Sequence, residues 1–553
     1  MHFARSWRLA LLGALASVPC GADNTNNVAI IGAGAAGSSA AFHLWKYALE
    51  EDIAINITIF EKSDRIGGRS LTVPAYNDPA QPIELGASIF VGANPILVNA
   101  TRRFHLPVSE PHRLEKDDVT AIWDGINFVF ETTEGSWGGW DLAKMFWRYG
   151  LSPYRAKKAV DGMIGEFLKL YESPYFPFKS LSQRAEQLDL NRITSLTGEQ
   201  LLAEANVDSR FAREIIQVAT RVNYASNLAY IHGLETLVSL ATDKAMSVET
   251  GNWRIFEEMT LESGAAVYRN TTVVSIEKAQ KKTKSSSPKY IISTKDANSK
   301  DDTPENYGVE FDNVIIANPW QFSNTKAGEG VLEREIDEIP YTKLHVTLFT
   351  SPLKLDPEFF SMKPGSKTPA TVYTTLGENE EVKKGADGVG RAGFYSVSTL
   401  KYIDNPKTGQ KERVYKIFSP EAISAKFLTK LLGTEIPESV ISGKGQSEEK
   451  AFEPISWYYP HHFYSYPIEL PRVTFEDPVI GKGVYYTSGI ESFISCMETS
   501  ALMGRNVARL VADDVSGVKR PDDILSGAGK QSNEQVTVEE AVEGIRAQAG
   551  AEL

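Results

Sequence analysis

The sequence predicts an α/β fold, in which a parallel sheet wound with helices is interleaved with a second, α+β domain. Three observations predict it. An apolar run, "VAII" at 28–31, meets a glycine-rich turn and a small-residue helix to about residue 49, and "INITIFEK" at 55–62 then alternates as a second strand. Far downstream, "FDNVIIANP" at 311–319 reads as a wholly apolar strand closed by Asn-Pro. Finally, 553 residues exceed one ordinary core and imply two or three domains.

The remaining elements follow in order. From Trp140 to about Ala245 the helical period dominates, as in "AKKAVDGMIGEFLKLY" and "SRFAREIIQVATRV". "TVVSIEKA" and "KYIISTKD" flank a Lys/Ser-rich turn and predict a hairpin, with "KAQKKTK" (278–284) as its solvated edge. "KLHVTLFTS", "ATVYTTL" and "GRAGFYSVSTL" are strand-like and predict a sheet domain. "GVYYTSGIE" at 483–491 is another strand, and "METSALMGRNVARLVADDV" an amphipathic helix. Residues 516–553 turn to Gly, Ser, Gln and Glu and read as a weakly ordered tail. No internal repeat is found.

Composition narrows the function classes. Hydrophobic content of 42% with 23% charged residues is that of a soluble globular chain. A net charge of -13 without a basic stripe argues against a nucleic-acid partner. Residues 1–22 read as a secretory signal peptide: Arg5 and Arg8 lead, 9–18 are largely apolar, and Cys20-Gly21-Ala22 make a small-residue exit. No later run approaches a membrane span, so no transmembrane segment is expected. The expected route is the secretory pathway, ending outside the cell or in a vacuolar or lysosome-like compartment. Asn56, Asn99 and Asn270 stand in glycosylation sequons on that route. With the signal removed Cys496 is the remaining cysteine, and no intrachain disulfide is expected.

Gly32-x-Gly34-x-x-Gly37, between a strand and a helix, has a mechanical logic. The first glycine makes the tight turn, the second lets backbone approach a pyrophosphate, and the third lets helix pack on strand. The anion then lies at the helix N-terminus. Glu61, followed by Lys62, closes the second strand 24 residues after Gly37, where a carboxylate reaches a ribose hydroxyl and disfavours a 2′-phosphate. The pattern predicts a Rossmann-like dinucleotide domain.

"EKSDRIGGRSLT", with Gly67, Gly68 and Arg69, resembles the FAD-binding variant of this fold shared by the amine-oxidase group. That resemblance implies a loop under the FAD diphosphate, with Arg69 as a phosphate contact. It also places Gly86, Ala87 and Ser88 of "IELGAS" near the flavin. "YYTSGIESFISCMETSALMGRNVA" resembles the closing FAD motif, with Glu491 and the Met497-Glu498-Thr499 helix start at the cofactor. Val274 in "TTVVSI" reads either as an adenine contact or as plain β-core.

The likeness then narrows. "GAGAAGSSAAFHL", "FEKSDRIGGRSLTV", "ELGASIF", "FWRYGLSPYRAKKAVDGMIGEFLKLY", "TRVNYASNLAYIHGLETLVSLA", "VETGNWRIFEEM" and "IPYTKLHVTLFTSPLKLD", with the closing motif, resemble the prenylcysteine oxidase (prenylcysteine lyase) family from residue 28 to 511. The middle segments are the specific ones. Membership implies a non-covalent FAD and oxidative cleavage of the thioether in an S-prenylcysteine, a small lipid-like substrate. Molecular oxygen is the acceptor, and cysteine, the prenyl aldehyde and hydrogen peroxide are the products.

That chemistry asks little of side chains. Hydride loss from the carbon between sulfur and alkene leaves a cation shared by the sulfur lone pair and the allyl system. Water adds, and the hemithioacetal collapses. Neither a nucleophile nor a metal is needed, and neither signature is found. His461 and His462 are adjacent in "WYYPHHFYSYPIELP", a poor geometry for one ion. This stretch reads either as a proline-rich connector or as an aromatic wall to a lipid-like pocket. His462 is the candidate base for the attacking water. Two alternatives share the scaffold: an FAD amine oxidase, and a tailoring oxidase for a prenylated or sulfur-containing metabolite. The expected FAD domain is discontinuous (27–100, 236–330 and 475–515), and 101–235 with 331–474 form the substrate domain.

Overall fold

Val28, Ala29, Ile30 and Ile31 form the last four residues of β1 (Asn26–Ile31) and are buried on both faces. Val28 and Ile30 enter a core shared with helices, whereas Ala29 and Ile31 enter one shared with a four-stranded sheet. Such two-sided burial is what an unbroken apolar run in a parallel sheet requires. The structure, a computed structural model, describes residues 25–110, 118–132, 139–280, 287–299, 303–442 and 453–518. The expected signal peptide, the hairpin tip at 281–286 and the tail beyond residue 518 lie outside them.

β1 pairs in parallel with β2 (Ile55–Phe60) on one side and with Asn313–Ile316 on the other. The sheet has six strands, in the order Val479–Gly481, Val484–Tyr486, Asn313–Ile316, β1, β2, Ala266–Tyr268, all parallel except the first pair. Helix α1 (Ala35–Glu50) follows the glycine turn, and the C-terminal helix (Met497–Ser516) lies against it. Near their starts Ser39 Oγ donates to the Ala501 carbonyl at 2.7 Å, and near their ends Arg509 pairs with Glu51. The two helices therefore run in the same direction, with both N-termini at one end.

The second unit is a seven-stranded sheet, in the order Trp457–Pro467, Tyr341–Ser351, Lys411–Ser419, Ser396–Asp404, Thr371–Thr374, Thr120–Trp123, Phe128–Glu131. One face is covered by the helix Ala425–Leu432. The other packs on the hairpin of β3 (Leu71–Pro74) and β4 (Pro82–Gly86), which follows the second glycine loop in the chain. That contact joins the two units.

The aromatic stretch at 457–467 corrects the expected loop, because it is an edge strand paired with Tyr341–Ser351. Its alternation is hidden in sequence because both faces carry rings. Pro460 is tolerated because an edge strand leaves one row of backbone groups unpaired. Two strands are shorter than expected: Gly385–Ala392 and Ser488–Ser492 are 3-10 turns. The C-terminal helix ends at Ser516, with Gly517 left-handed at its cap.

Arg221 ties the helical layer to this sheet. It is 1% exposed, and its guanidinium donates to the carbonyls of Thr374, Gly388 and Val389 and to the side chains of Thr374 and Asn227. These acceptors are all neutral, and burial lowers the Arg221 pKa to about 10, partly offset by the charge of Glu380 nearby. Arg221→Lys cannot supply this fork of donors and leaves buried carbonyls unpaired. It is expected to cost about 3 kcal/mol, read as a lowered thermal midpoint, whereas an unchanged midpoint would contradict the role.

Candidate active site

The site begins where β1 meets α1. No side chain caps the N-terminus of α1, and its first turn carries no acid. Its amides and the positive end of its dipole therefore remain available to an anion. Gly37 is sterically required: a Cβ there would stand 1.9 Å from the Gly32 carbonyl oxygen. Glu61 is buried, and its Oε2 accepts the Ala33 N–H at 2.7 Å. Its Oε1 accepts the N–H and the hydroxyl of Ser63 at 2.8 and 2.6 Å. Lys62, beside it, is exposed.

The second glycine loop lies back to back with the first. The Gly67 N–H donates to the Ala33 carbonyl at 2.9 Å, and a Cβ on Gly68 would come within 3.1 Å of Gly34 Cα. Gly68 also has φ +59, so only a residue without Cβ fits both the space and the turn.

Arg69, the expected phosphate contact, has partners within the chain. Its guanidinium pairs with Glu491 at 2.6 Å and donates to the Ser465 carbonyl at 2.8 Å, and the Tyr341 hydroxyl reaches the same Glu491 oxygen at 3.1 Å. Burial alone would lower the Arg69 pKa, but the Glu491 charge outweighs it and the net shift is upward. Burial likewise pushes the Tyr341 hydroxyl well up, so it stays a donor. Three expected or adjoining pieces are thus locked together: the second loop, the 3-10 turn before the C-terminal helix, and the second sheet.

Gly86, at the end of β4, faces the Phe463 ring, which would lie 2.8 Å from a Cβ there. Ala87 adopts φ +52, and its carbonyl accepts from Asn252 at 2.8 Å. Ser88 Oγ accepts from Lys416 at 3.0 Å, and Lys416 also donates to the Glu84 carbonyl at 2.8 Å. Lys416 is buried, which lowers its pKa to about 8, and burial raises that of Glu84 to about 7. Val274 sits at a β-bulge, where it pairs with no residue of the neighbouring strand.

At the C-terminal helix the start is closed by Thr499, whose Oγ1 accepts the Cys496 N–H at 3.3 Å. Met497 is buried in the first turn. The Glu498 carboxyl turns away to cap α2 (Pro95–Arg103), accepting the N–H groups of Ile96 and Leu97 at 3.0 Å each. Burial pushes the Cys496 thiol up to about 11, so it is protonated and unreactive at neutral pH.

The structure does not bring His462 to this centre. It is exposed and stacks on His345, with ring centroids 5.4 Å apart. Strand alternation sends His461 to the other face, beside Phe463. His461 is half-buried, and that burial, with His462 and Arg65 nearby, lowers its pKa. Arg65 belongs to the second glycine loop, where it donates to the Gly68 carbonyl at 2.8 Å.

Sequence reading missed a buried network behind the C-terminal helix. Glu235 Oε1 accepts the Ser495 N–H at 3.2 Å, and the Glu235 N–H donates to His232 Nδ1 at 3.1 Å. His232 Nε2 lies 3.4 Å from Glu469. Burial moves His232 down to about 3, Glu235 up to about 8 and Glu469 well above its usual range. The network is therefore largely neutral, and it braces the turn that presents the helix. Among the described residues no cluster of His, Cys, Asp or Glu is arranged to hold a metal.

Comparison with known proteins agrees with this layout. The prenylcysteine lyase family matches residues 131–522, and the NAD(P)-binding Rossmann-like domain matches residues 30–104. Farnesylcysteine lyase of Arabidopsis thaliana is 30% identical, over 91% of this chain and 93% of that protein. Prenylcysteine oxidase 1 of Bos taurus is 26% identical, over 87% of each. Among solved structures, cyclohexylamine oxidase from Brevibacterium oxydans superposes with a TM-score of 0.52 at 15% identity, covering 89% of this chain and 99% of its own. A putrescine oxidase variant gives 0.52 at 13% identity, covering 89% and 99%. These two likenesses speak to the fold alone.

Glu498 gives this site a pH signature. Burial raises its pKa from 4.5 to about 7, so the folded chain holds the proton more tightly than the unfolded one. The corresponding stability is whole below about pH 4.5 and is lost as pH climbs through about 7. Between about pH 5 and about pH 8, wild type should lose roughly 3 kcal/mol more than Glu498→Gln, which cannot ionise. Thermal unfolding of both proteins at the two pH values measures this, and parallel losses would contradict it.

Proposed function

The chain belongs to the prenylcysteine lyase family, and from that premise we propose that it is an FAD-dependent oxidase that cleaves the thioether of an S-prenylcysteine. Its products in this reading are cysteine, the prenyl aldehyde and hydrogen peroxide, with molecular oxygen as acceptor. The observation that carries the proposal is the extent of the family match. It runs through residues 131–522, including the second sheet and the helical layer, and so is not confined to the glycine-turn domain common to many dinucleotide proteins.

The residues present fit FAD. Two glycine loops in contact, an uncapped helix start and a buried carboxylate at the end of the second strand make a cradle for a diphosphate and its ribose. FAD, when bound, supplies two-electron acceptance from the substrate carbon and onward transfer to oxygen. The chain supplies binding, orientation and shelter. The α1 amides hold the diphosphate, and Glu61 keeps acceptor capacity for a ribose hydroxyl beyond its three internal bonds. Val274 offers unpaired backbone at its bulge to the adenine. The first-turn amides of Met497 and Glu498 serve the flavin end, with Gly86, Ala87 and Ser88 beside it, while the Thr499 amide is held by Cys496 Sγ. The second sheet, anchored through Arg69, Gly86 and Lys416, closes over these groups and excludes water.

His461, half-buried with its pKa lowered and on the face toward the glycine loop, replaces His462 as the candidate acceptor of the attacking water's proton. The secretory location belongs to this proposal too. Of the three sequons, Asn56 has an exposed side chain, which suits glycan addition.

Anaerobic mixing of the purified holoprotein with S-farnesylcysteine should bleach the flavin absorbance, and putrescine should not. Bleaching by the amine alone would overturn the thioether reading. His462→Ala should change turnover by less than about twofold, whereas His461→Asn should lower it by about tenfold or more. Steady-state peroxide release measures both, and the reverse order would restore His462.

A further inference from the structure

The helical hairpin of Gly139–Tyr149 and Ser152–Leu168 is apolar on two sides. Met145, Tyr149, Ala156 and Val160 turn inward and are buried, which is the periodicity of a surface hairpin. The opposite face should then be polar. Instead Phe146, Trp147, Leu151 and Tyr154 stand out from it, 49, 94, 56 and 62% exposed. One exposed leucine is ordinary, but a run of large apolar side chains about a tight connection, led by a tryptophan in almost full contact with solvent, marks an interaction surface.

The charge at this place departs from that of the chain. The protein carries -13 overall, yet between 144 and 160 there is no Asp or Glu, while Lys144, Arg148, Arg155, Lys157 and Lys158 are present. Arg148 is offset by Glu214 at 2.8 Å, and Lys157 by Asp161 at 3.1 Å. Arg155 donates to a neutral carbonyl, that of Asn206, at 2.6 Å, and Lys158 forms no ion pair among the described residues. Both are exposed, beside the aromatic face. The patch also rests on a firm base, because buried Glu214 accepts from Arg148, Tyr149 and Arg210 together.

Exposed Trp and Tyr interleaved with uncompensated Lys and Arg on a helical surface is the composition that suits a membrane–water interface. A protein interface would instead seat its aromatic anchors in a pocket behind a polar rim. We propose that the tip of this hairpin docks on the surface of an anionic phospholipid bilayer, with Trp147 and Tyr154 at headgroup level and Arg155 and Lys158 against lipid phosphates. Docking is from one side, since no helix of the described residues is long and apolar enough to cross a membrane. The proposal does not depend on the reaction assigned above, and its test uses no turnover.

The test is flotation of the purified full chain with vesicles of phosphatidylcholine alone and of phosphatidylcholine with phosphatidylserine. The protein should float with the phosphatidylserine vesicles, and added salt should weaken this. Trp147→Ser combined with Tyr154→Ser should weaken it by about tenfold or more, with an unchanged far-ultraviolet circular dichroism spectrum. Arg155→Glu with Lys158→Glu, which leaves the rings in place, should abolish the preference for phosphatidylserine. Three results would overturn the proposal: no flotation of wild type with either vesicle, flotation that both variants retain, or self-association in sedimentation velocity that Trp147→Ser abolishes while vesicles are ignored.

Discussion

Everything at the candidate centre depends on the contact between two glycine loops. The Gly67 N–H reaches the Ala33 carbonyl, and the same Ala33 gives its own N–H to Glu61. One residue, Ala33, is thus clamped through both its peptide groups. The turn cannot move without disturbing both the Glu61 carboxylate and the second loop. Because the turn takes part through its backbone alone, the clamp leaves the first turn of α1 unobstructed. Glycine matters here less for flexibility than for absence: Gly37 and Gly68 are places where any Cβ would occupy another part of the clamp.

The second unit is held against this clamp by polar contacts of unusual depth. Lys416 comes from the middle of a buried strand to reach Ser88 and the Glu84 carbonyl, and Arg69 bridges to Glu491 and the Ser465 carbonyl. Breaking one partner of such a pair leaves a charge out of water, so these contacts fix geometry more surely than they add net stability. The surface that closes over the glycine clamp is built by the second sheet and the helical layer, the part of the chain that the prenylcysteine lyase family match spans.

The glycine turn, Glu61, the second loop and the C-terminal helix were legible in sequence because each is a local pattern: a strand, a turn of fixed spacing, an amphipathic run. What was not legible depends on pairing. The strand at 457–467 hid because its rings fall on both faces and Pro460 argues for a loop until the strand is seen to be an edge. The choice between His461 and His462 turns on one step of strand register, which no composition reveals. The pairing of Arg69 with Glu491, more than four hundred positions away, leaves no mark in either local stretch. Lys416 did leave a signal, a lone lysine within the buried strand "RVYKIFS", and so did Glu235 in an apolar helix.

If the clamped loops hold FAD, the flavin content of the purified chain reports it. Wild type should carry equimolar FAD that acid precipitation releases into the supernatant. Gly68→Val, which forces the loops apart, should fold and emerge colourless. A colourless wild type that takes up no added FAD, or a Gly68→Val protein with its full complement of flavin, would contradict the account.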